Sequence, residues 1–212
     1  KNTCYLAIKN IRKQNMKKSI YYIIFTLFFT VIFYSCTSLS FGTKGISREL
    51  TGKPVLSSKQ LTNYFMSQKP NSDKKLVERL ARFYVIEANL EGINSDVAFA
   101  QMCLETGYLS FGNLVTKEMH NYCGLGAIDE NNKGEWFKTE QEGVRAHIQH
   151  LHAYGTTEEV TLKNQLIDKR YKWVRPRGKA PTVFELAGTW AADKEYGQKL
   201  NVILSKMETF AK

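Results

Sequence analysis

Cysteine is scarce in this sequence: four of the 212 residues are cysteine, and only Cys103 and Cys123 fall after the first forty positions. This excludes a fold stapled together by several disulfides. So isolated a pair is more often two small buried hydrophobic side chains. The alternative is a disulfide between them, which export of the domain to an oxidising compartment would permit.

Acidic residues are absent from the first 35 positions, which contain six basic ones: Lys1, Lys9, Arg12, Lys13, Lys17 and Lys18. The formal net charge of the whole chain is +10. Beyond this segment, 24 lysines and arginines stand against 20 aspartates and glutamates. Over half of the excess positive charge therefore belongs to the N-terminus. The remaining domain is only mildly basic, which argues against a nucleic-acid partner.

An uncharged run of sixteen residues, SIYYIIFTLFFTVIFY, follows these basic residues at 19–34. It is slightly longer than the apolar region of a usual signal peptide and slightly short for a membrane-spanning helix. Met16 with two following lysines is typical of a start, so residues 1–15 would come from an upstream start. The run ends at Ser35 and Cys36, which resembles the lipobox of bacterial lipoproteins.

This resemblance implies cleavage before Cys36 and attachment of lipid to its thiol; an uncleaved N-terminal anchor is the alternative. Both the lipid anchor and the uncleaved anchor, with the basic residues on the cytoplasmic side of the membrane, predict a membrane-anchored domain in the cell envelope, outside the cytoplasm. The predicted organisation is a targeting segment at 1–35, a lipid-anchored linker at 36–71 and a functional domain at 72–212. Residues 37–60 are rich in Ser, Thr, Gly and Lys, which favours a linker with little core.

The domain has no internal repeats, and its apolar spacing is mostly helical. The spacing predicts a helix from about residue 72 to Gly92, and a second from an N-cap at Ser95 to a C′ glycine at Gly107. Further helices are expected near 141–155, weakly at 159–169, and at the C-terminus around Leu200.

Short β-prone runs surround a turn cluster within residues 121–139 and predict a small hairpin. The predicted fold is a mainly α domain with a small β-hairpin lobe, preceded by a signal or anchor segment.

Glu105 stands at the end of an apolar helical stretch, next to Leu104 and just before the helix-stopping Gly107. The negative end of the helix dipole and poor hydration both disfavour a carboxylate anion, and so raise its pKa. A glutamic acid that stays protonated near neutral pH is what general-acid catalysis requires. The alternative is a surface glutamate that reaches solvent.

Four stretches in order, AQMCLETGYLSFG, NYCGLGA, GVRAHIQHLHAYG and WAADKEYGQKL, resemble the bacterial glucosaminidases, glycoside hydrolase family 73, over residues 75–205. The resemblance implies a lysozyme-like α fold with a small β-lobe. It implies hydrolysis of the β-1,4 bond between N-acetylglucosamine and N-acetylmuramic acid, with Glu105 as proton donor. A lytic transglycosylase and a non-catalytic wall-binding lipoprotein are the alternatives.

A second carboxylate is normally needed for glycoside hydrolysis. The family resemblance points to Glu142, with Glu140 and Glu135 as neighbours. Glu142 also fits a capping box with Thr139 at a helix start, which would aim its carboxylate away from a cleft. A third possibility is attack by the substrate's own N-acetyl group.

The resemblance also places Tyr196 near the cleft as a catalytic tyrosine; a core tyrosine is the alternative. Asn121 and Gly124 fall where the family turns into its β-lobe, and glycine there allows close approach of the backbone to a sugar amide. Aromatic residues that could support sugar rings, or merely pack, are Tyr108, Tyr122, Trp136, Trp173 and Trp190.

Three histidines, His147, His150 and His152, invite a metal interpretation. The sequence has no HExxH motif, and these histidines share a helix with an apolar stripe, so we expect no metal and no cofactor. The expected partners are peptidoglycan glycan strands and, through the N-terminal anchor, a membrane. We expect no nucleic-acid partner and a monomeric protein.

Overall fold

The computed structural model describes residues 45–112 and 114–211. The helices in these ranges are α1 (Ser58–Gln68), α2 (Lys74–Glu91), α3 (Ser95–Glu105), α4 (Glu140–Gly155) and α5 (Tyr196–Met207). Short 3-10 helices cover Lys117–Met119, Tyr171–Trp173 and Glu208–Phe210. One antiparallel hairpin joins β1 (Ala127–Asp129) to β2 (Asn132–Lys133). The prediction of a mainly α fold with a small hairpin is confirmed.

The signal or anchor segment and the lipidation candidate Cys36 lie outside the described residues. Within residues 45–112 and 114–211, no helix is both long enough and apolar enough to cross a membrane.

Helix α3 is the centre of the domain. It contacts α1, α2, α4 and α5, and every residue from Ser95 to Cys103 is buried. Most of its residues are apolar, as expected of a helix that is covered on all sides, and the polar side chains of Asp96 and Gln101 are buried with them. Burial from Ser95 to Cys103 fixes α3 in the core, so its last residue, Glu105, is held in a defined position at the edge of the core.

Local signals set the ends of α2 and α3. The Asp73 carboxylate accepts hydrogen bonds from the first turn of α2, and Gly92 ends that helix in the left-handed conformation with φ 71°. The predicted N-cap of α3 was wrong by one residue. Asn94 is the cap, because its side chain accepts a hydrogen bond from the Asp96 amide at 3.0 Å.

The prediction of a linker at 36–71, with little core at 37–60, is wrong for residues 46–68. Helix α1 lies in this range, and the core includes buried side chains from it and from the segment before it: Ile46, Leu50, Leu56, Leu61, Tyr64 and Phe65. The Asp96 carboxylate on α3 also accepts a hydrogen bond from the Val55 amide at 2.7 Å. Widely spaced apolar residues therefore anchor an otherwise polar stretch.

The predicted weak helix at 159–169 is also wrong, since residues 156–170 contain no helix. The buried Glu91 carboxylate accepts hydrogen bonds from the backbone amides of Lys163 (2.8 Å) and Asn164 (2.9 Å). Gln149 holds the next few residues in the same way. These long-range contacts satisfy the backbone without helical bonds.

The two cysteines of the domain, Cys103 and Cys123, are both buried and free. The interpretation of both as small buried hydrophobic residues is confirmed, and the alternative of a disulfide between them is wrong.

Candidate active site

A sharp turn of the chain directly follows the partly buried Glu105 at the end of α3. Thr106 donates its hydroxyl to the Met102 carbonyl (2.7 Å) and accepts from the Leu109 amide (2.9 Å), closing the turn. Gly107 takes the left-handed conformation with φ 56°, as expected of a C′ glycine.

A groove of about 620 Å³ opens beside this turn. Its described lining comes from the end of α3, residues 110–112 and 114–115, the loop before the hairpin, and the start of α5 with the preceding Trp190. Among the described lining residues, Glu105 is the sole acidic one. The groove therefore presents a single carboxyl group to a bound molecule.

The two oxygens of Glu105 have different environments. Oε1 accepts hydrogen bonds from the Trp190 indole nitrogen, at 3.0 Å, and from the Tyr196 hydroxyl. Oε2 accepts none from the described residues, and faces Gly124, where a Cβ atom would come within 3.9 Å of it. Gly124 has φ 64° and also lines the groove. Oε1 is fixed by the protein, while Oε2 is left for a ligand.

Burial raises the pKa of Glu105 above its ordinary value of 4.5. The hydrogen bonds from Tyr196 and Trp190 act in the opposite direction, because they stabilise the anion, but burial is the larger effect. The carboxyl group thus has the property that the sequence predicted for it. The dominant cause is loss of hydration in the folded protein.

Trp190 is itself held by a cluster of aromatic rings. Its ring centroid lies 5.9 Å from that of His147, 5.0 Å from that of His150 and 5.2 Å from that of Tyr154. Tight packing of this kind fixes the direction of the indole N–H. Trp190 therefore acts on Glu105 as well as lining the groove.

Glu142 does not line the groove. Its carboxylate accepts a hydrogen bond from the Lys138 amide at 2.9 Å, and its own amide donates to Thr139 Oγ1 at 3.1 Å. This geometry favours the capping alternative at the start of α4. The neighbouring candidates are also engaged elsewhere, Glu140 with Arg79 and Glu135 with Lys169, each at 2.7 Å.

Asn121 lines the groove, but its polar atoms hold the β-lobe together. Its Nδ2 donates to the carbonyls of Leu125 (2.9 Å) and Glu135 (3.1 Å), and its Oδ1 accepts from the Leu125 amide (2.9 Å). Because these bonds occupy its amide, Asn121 shapes the wall of the groove.

Of the five aromatic residues considered as sugar platforms, Trp190 alone lines the groove. Tyr122 is buried in the core, and the Tyr108 hydroxyl bonds that of Tyr64 at 2.6 Å. Trp136 is 63% exposed and lines a separate depression beside the hairpin. Trp173 is 61% exposed, with the Arg170 guanidinium 4.8 Å above its ring.

Sequence reasoning missed the wall formed by residues 110–112 and 114–115, which includes Phe111 and Val115. Tyr108, Leu109 and Phe111 have positive φ values of 57°, 58° and 45°, which non-glycine residues rarely adopt. No glycine or asparagine marks these three positions, so the sequence carried no local signal for this turn.

The three histidines of α4 have protein partners. His147 contacts the Tyr84 hydroxyl and the Gln101 side chain, at 2.8 and 3.0 Å. His150 pairs with Asp168 at 2.7 Å, and His152 contacts the Tyr171 hydroxyl at 2.9 Å. In the part of the chain that the structure describes, no group of three or more residues could hold a metal ion.

A family model for mannosyl-glycoprotein endo-beta-N-acetylglucosaminidase matches residues 81–209, more than half of the chain. The chain belongs to the glucosaminidase family. The matched region contains Glu105, Trp190 and Tyr196, and the family predicted from the sequence is confirmed. Membership supports hydrolysis of peptidoglycan glycans at the level of the family.

The chain is also similar to an uncharacterized protein of Borreliella burgdorferi (strain ATCC 35210 / DSM 4680 / CIP 102532 / B31). The two are 43% identical over 147 residues, which is 69% of this chain and 71% of that protein. No solved structure matches.

Proposed function

We propose that this protein hydrolyses the β-1,4 bond between N-acetylglucosamine and N-acetylmuramic acid in peptidoglycan, with Glu105 as the general acid. One observation carries the proposal: Oε1 of Glu105 is held by two donors, while Oε2 is left free beside the groove. The raised pKa of Glu105 supports the same role, because a general acid must hold its proton near the working pH.

The hydrogen bonds also assign the position of the proton. An sp² oxygen offers two lone pairs, and both on Oε1 are used by the Trp190 N–H and the Tyr196 O–H. The proton of Glu105 then sits on Oε2. In the first step, the bond from C1 of N-acetylglucosamine to O4 of N-acetylmuramic acid breaks, and its electron pair goes to O4, which takes the proton from Oε2.

The groove favours participation of the substrate's own acetamido group in the reaction. Since the described lining holds one carboxyl group, we propose that the acetamido oxygen of N-acetylglucosamine attacks C1 as O4 leaves. The Glu105 carboxylate then takes a proton from water, and the hydroxide oxygen bonds to C1 as the acetamido group re-forms. Glu105 regains its proton, and the β configuration is retained.

The single acid also suits a lytic transglycosylase, the second candidate. In that reaction a hydroxyl of the muramic acid itself displaces the leaving sugar, so neither water nor a second protein carboxylate is needed. The product would be a 1,6-anhydro-muramic end. The described groove residues fit both reactions equally, and the two reactions are distinguished by their products.

The proposal also includes the cellular location of the protein. We propose that the domain works in the cell envelope as a lipoprotein attached through Cys36, on the basis of the apolar run and the Ser35–Cys36 pair. Mass spectrometry of the mature N-terminus tests this: lipid on an N-terminal Cys36 supports it, and an intact anchor segment contradicts it.

Analysis of the products tests the reaction. Purified peptidoglycan is digested with the protein, its new reducing ends are reduced with borohydride, and the fragments are identified by mass spectrometry. Reduced N-acetylglucosamine ends support the proposal. Anhydro-muramic ends support the transglycosylase, reduced muramic ends contradict the assigned bond, and binding without products supports a wall-binding protein.

Peptidoglycan with de-N-acetylated glucosamine tests the role of the acetamido group. Without it, we expect cleavage to slow by more than about a hundredfold, because the intramolecular nucleophile is lost. Muramic acid with its N-acetyl group removed is the matched control. Equal rates on the de-N-acetylated glucosamine substrate and on intact peptidoglycan would reject substrate participation and leave the acid role of Glu105 intact.

A further inference from the structure

Behind the groove, the hydrogen bonds continue from Tyr196 into the core. The Tyr196 hydroxyl, which donates to Glu105, also accepts a hydrogen bond from Gln101 Nε2 at 2.8 Å. Gln101 is fully buried on α3, four residues before Glu105 and so on the same face of the helix. Its side chain is the inner neighbour of the tyrosine that holds the acid.

Gln101 is held in turn by His147 on α4. Gln101 Oε1 lies 3.0 Å from His147 Nε2, and His147 Nδ1 lies 2.8 Å from the Tyr84 hydroxyl. Gln101, His147 and Tyr84 are all 0% exposed. We call the series Tyr84, His147, Gln101, Tyr196 and Glu105 the buried relay.

The amide of Gln101 fixes the direction of every bond in the buried relay. An amide nitrogen only donates and an amide oxygen only accepts. With Nε2 toward Tyr196, the tyrosine proton points to Glu105, and His147 must donate from Nε2 and accept at Nδ1. With the amide reversed, Tyr196 would donate to Gln101, and His147 would carry its proton on Nδ1.

We propose that Gln101, oriented by His147, is a positioning residue for Glu105: it turns the Tyr196 proton toward Oε1 and so keeps the acid proton on Oε2. The inference rests on the proposed glycosidase function. It adds two buried residues to the groups that position the acid. Gln101 is 95 positions from its partner Tyr196, and His147 is 46 positions from its partner Gln101.

The buried relay needs a histidine with one proton. Complete burial, with His150 nearby, lowers the pKa of His147 from 6.5 to about 3. The imidazole is therefore neutral at physiological pH and holds a single N–H, whose position is set by its partners. The tautomer of His147 reports the direction of the whole series.

The first test reads that tautomer in the unmodified protein. A long-range proton–nitrogen NMR spectrum of protein labelled with ¹⁵N-histidine is recorded near neutral pH, and His147 is assigned by its loss in His147→Asn. We expect the Nε2–H tautomer. An Nδ1–H tautomer, or a doubly protonated ring, overturns the inference, and this result does not depend on any activity.

The second test measures catalysis. In Gln101→Met the tyrosine proton is free to turn away, and we expect kcat to fall about three- to tenfold, the worth of one ordinary hydrogen bond, with KM unchanged. Gln149→Met is the matched control. Gln149 is also a fully buried glutamine, but its amide forms hydrogen bonds with residues 165, 167 and 168 and none with the buried relay.

A third variant separates direction from shape. Gln101→Glu keeps the shape of the side chain but replaces its donor with an acceptor, so the Tyr196 proton is drawn away from Glu105; we expect a larger loss of kcat than in Gln101→Met. Unchanged kcat in Gln101→Met, or an equal loss in Gln149→Met, overturns the inference. If Glu105→Gln retains activity, the proposed function fails instead, whatever the tautomer of His147.

Discussion

The indole N–H of Trp190 donates a hydrogen bond to Oε1 of Glu105 across 3.0 Å, although the two residues lie 85 positions apart in the chain. The Tyr196 hydroxyl, from the start of α5, donates to the same oxygen. Two donors, from the segment that leads into α5 and from its first residue, thus converge on one atom before any substrate is bound. Such preorganisation places the free oxygen of the acid without reorganisation during the reaction.

Replacing Tyr196 with phenylalanine should slow catalysis while the domain stays folded. Tyr196→Phe removes one of the two donors to Oε1, so the acid proton is no longer confined to Oε2. We expect kcat to fall about 10- to 100-fold, the range for a hydrogen bond to a charged group, with little change in KM. Tyr64→Phe is the control, because it also removes a buried hydroxyl bond but makes no contact with Glu105. Equal rates for the two variants would contradict the role of Tyr196.

The pH dependence of kcat/KM should report the protonated form of Glu105. Activity falls as pH rises through the pKa of Glu105, which burial places above 4.5. Trp190→Phe removes a hydrogen bond that favours the anion, so the pKa rises further and the falling limb moves to higher pH. Tyr196 and Cys123 are the titratable groups that face Glu105, and burial raises both their pKa values, so both stay uncharged. A limb displaced to lower pH would contradict this reasoning.

Glu105 should lower the stability of the protein at neutral pH. Its pKa is raised on folding, so its favourable contribution is complete below the unfolded value of 4.5 and is lost as pH rises through the folded pKa. Glu105→Gln has no such loss. We expect this variant to melt a few degrees above the parent protein at pH 7, and the difference to shrink at pH 4. A difference that grows toward low pH would show a lowered pKa.

The segment before α1 should contribute to the free energy of unfolding, despite its polar composition. Asp96→Ala removes the side-chain acceptor of two backbone amides, the buried one of Leu56 and that of Val55. We expect a loss of about 1–3 kcal/mol, measured by urea unfolding. Asp129→Ala, in the exposed hairpin turn, is the control and should cost less. A negligible effect of Asp96→Ala would restore the linker interpretation of this segment.

Local sequence signals were sufficient for the part of the fold that delivers Glu105. Gly92 and Gly107 mark the ends of α2 and α3 by left-handed backbone, which depends only on near neighbours, whereas the N-cap of α3 is Asn94, one residue before the predicted Ser95. The apolar run of α3 and the raised pKa of its last residue follow from the same local reading.

Contacts between distant residues decided what the sequence did not reveal. The linker prediction failed because Leu50 and Leu56 are too widely spaced to show a period, yet both are buried. Glu142 matched a family position as well as a capping position, and its bond to Lys138 and its absence from the groove lining favour the capping role. The turn through Phe111 gives no sequence signal because its backbone conformation is imposed by the surrounding structure.

Direct titration of the Glu105 carboxyl group by carbon NMR, assigned with Glu105→Gln, is the most direct measurement of whether this residue can be the acid. In the ligand-free protein we expect a midpoint above 4.5, and the same midpoint in the falling limb of kcat/KM. A carboxyl group that ionises at or below its ordinary pKa would contradict the central claim that Glu105 supplies the proton to the departing sugar.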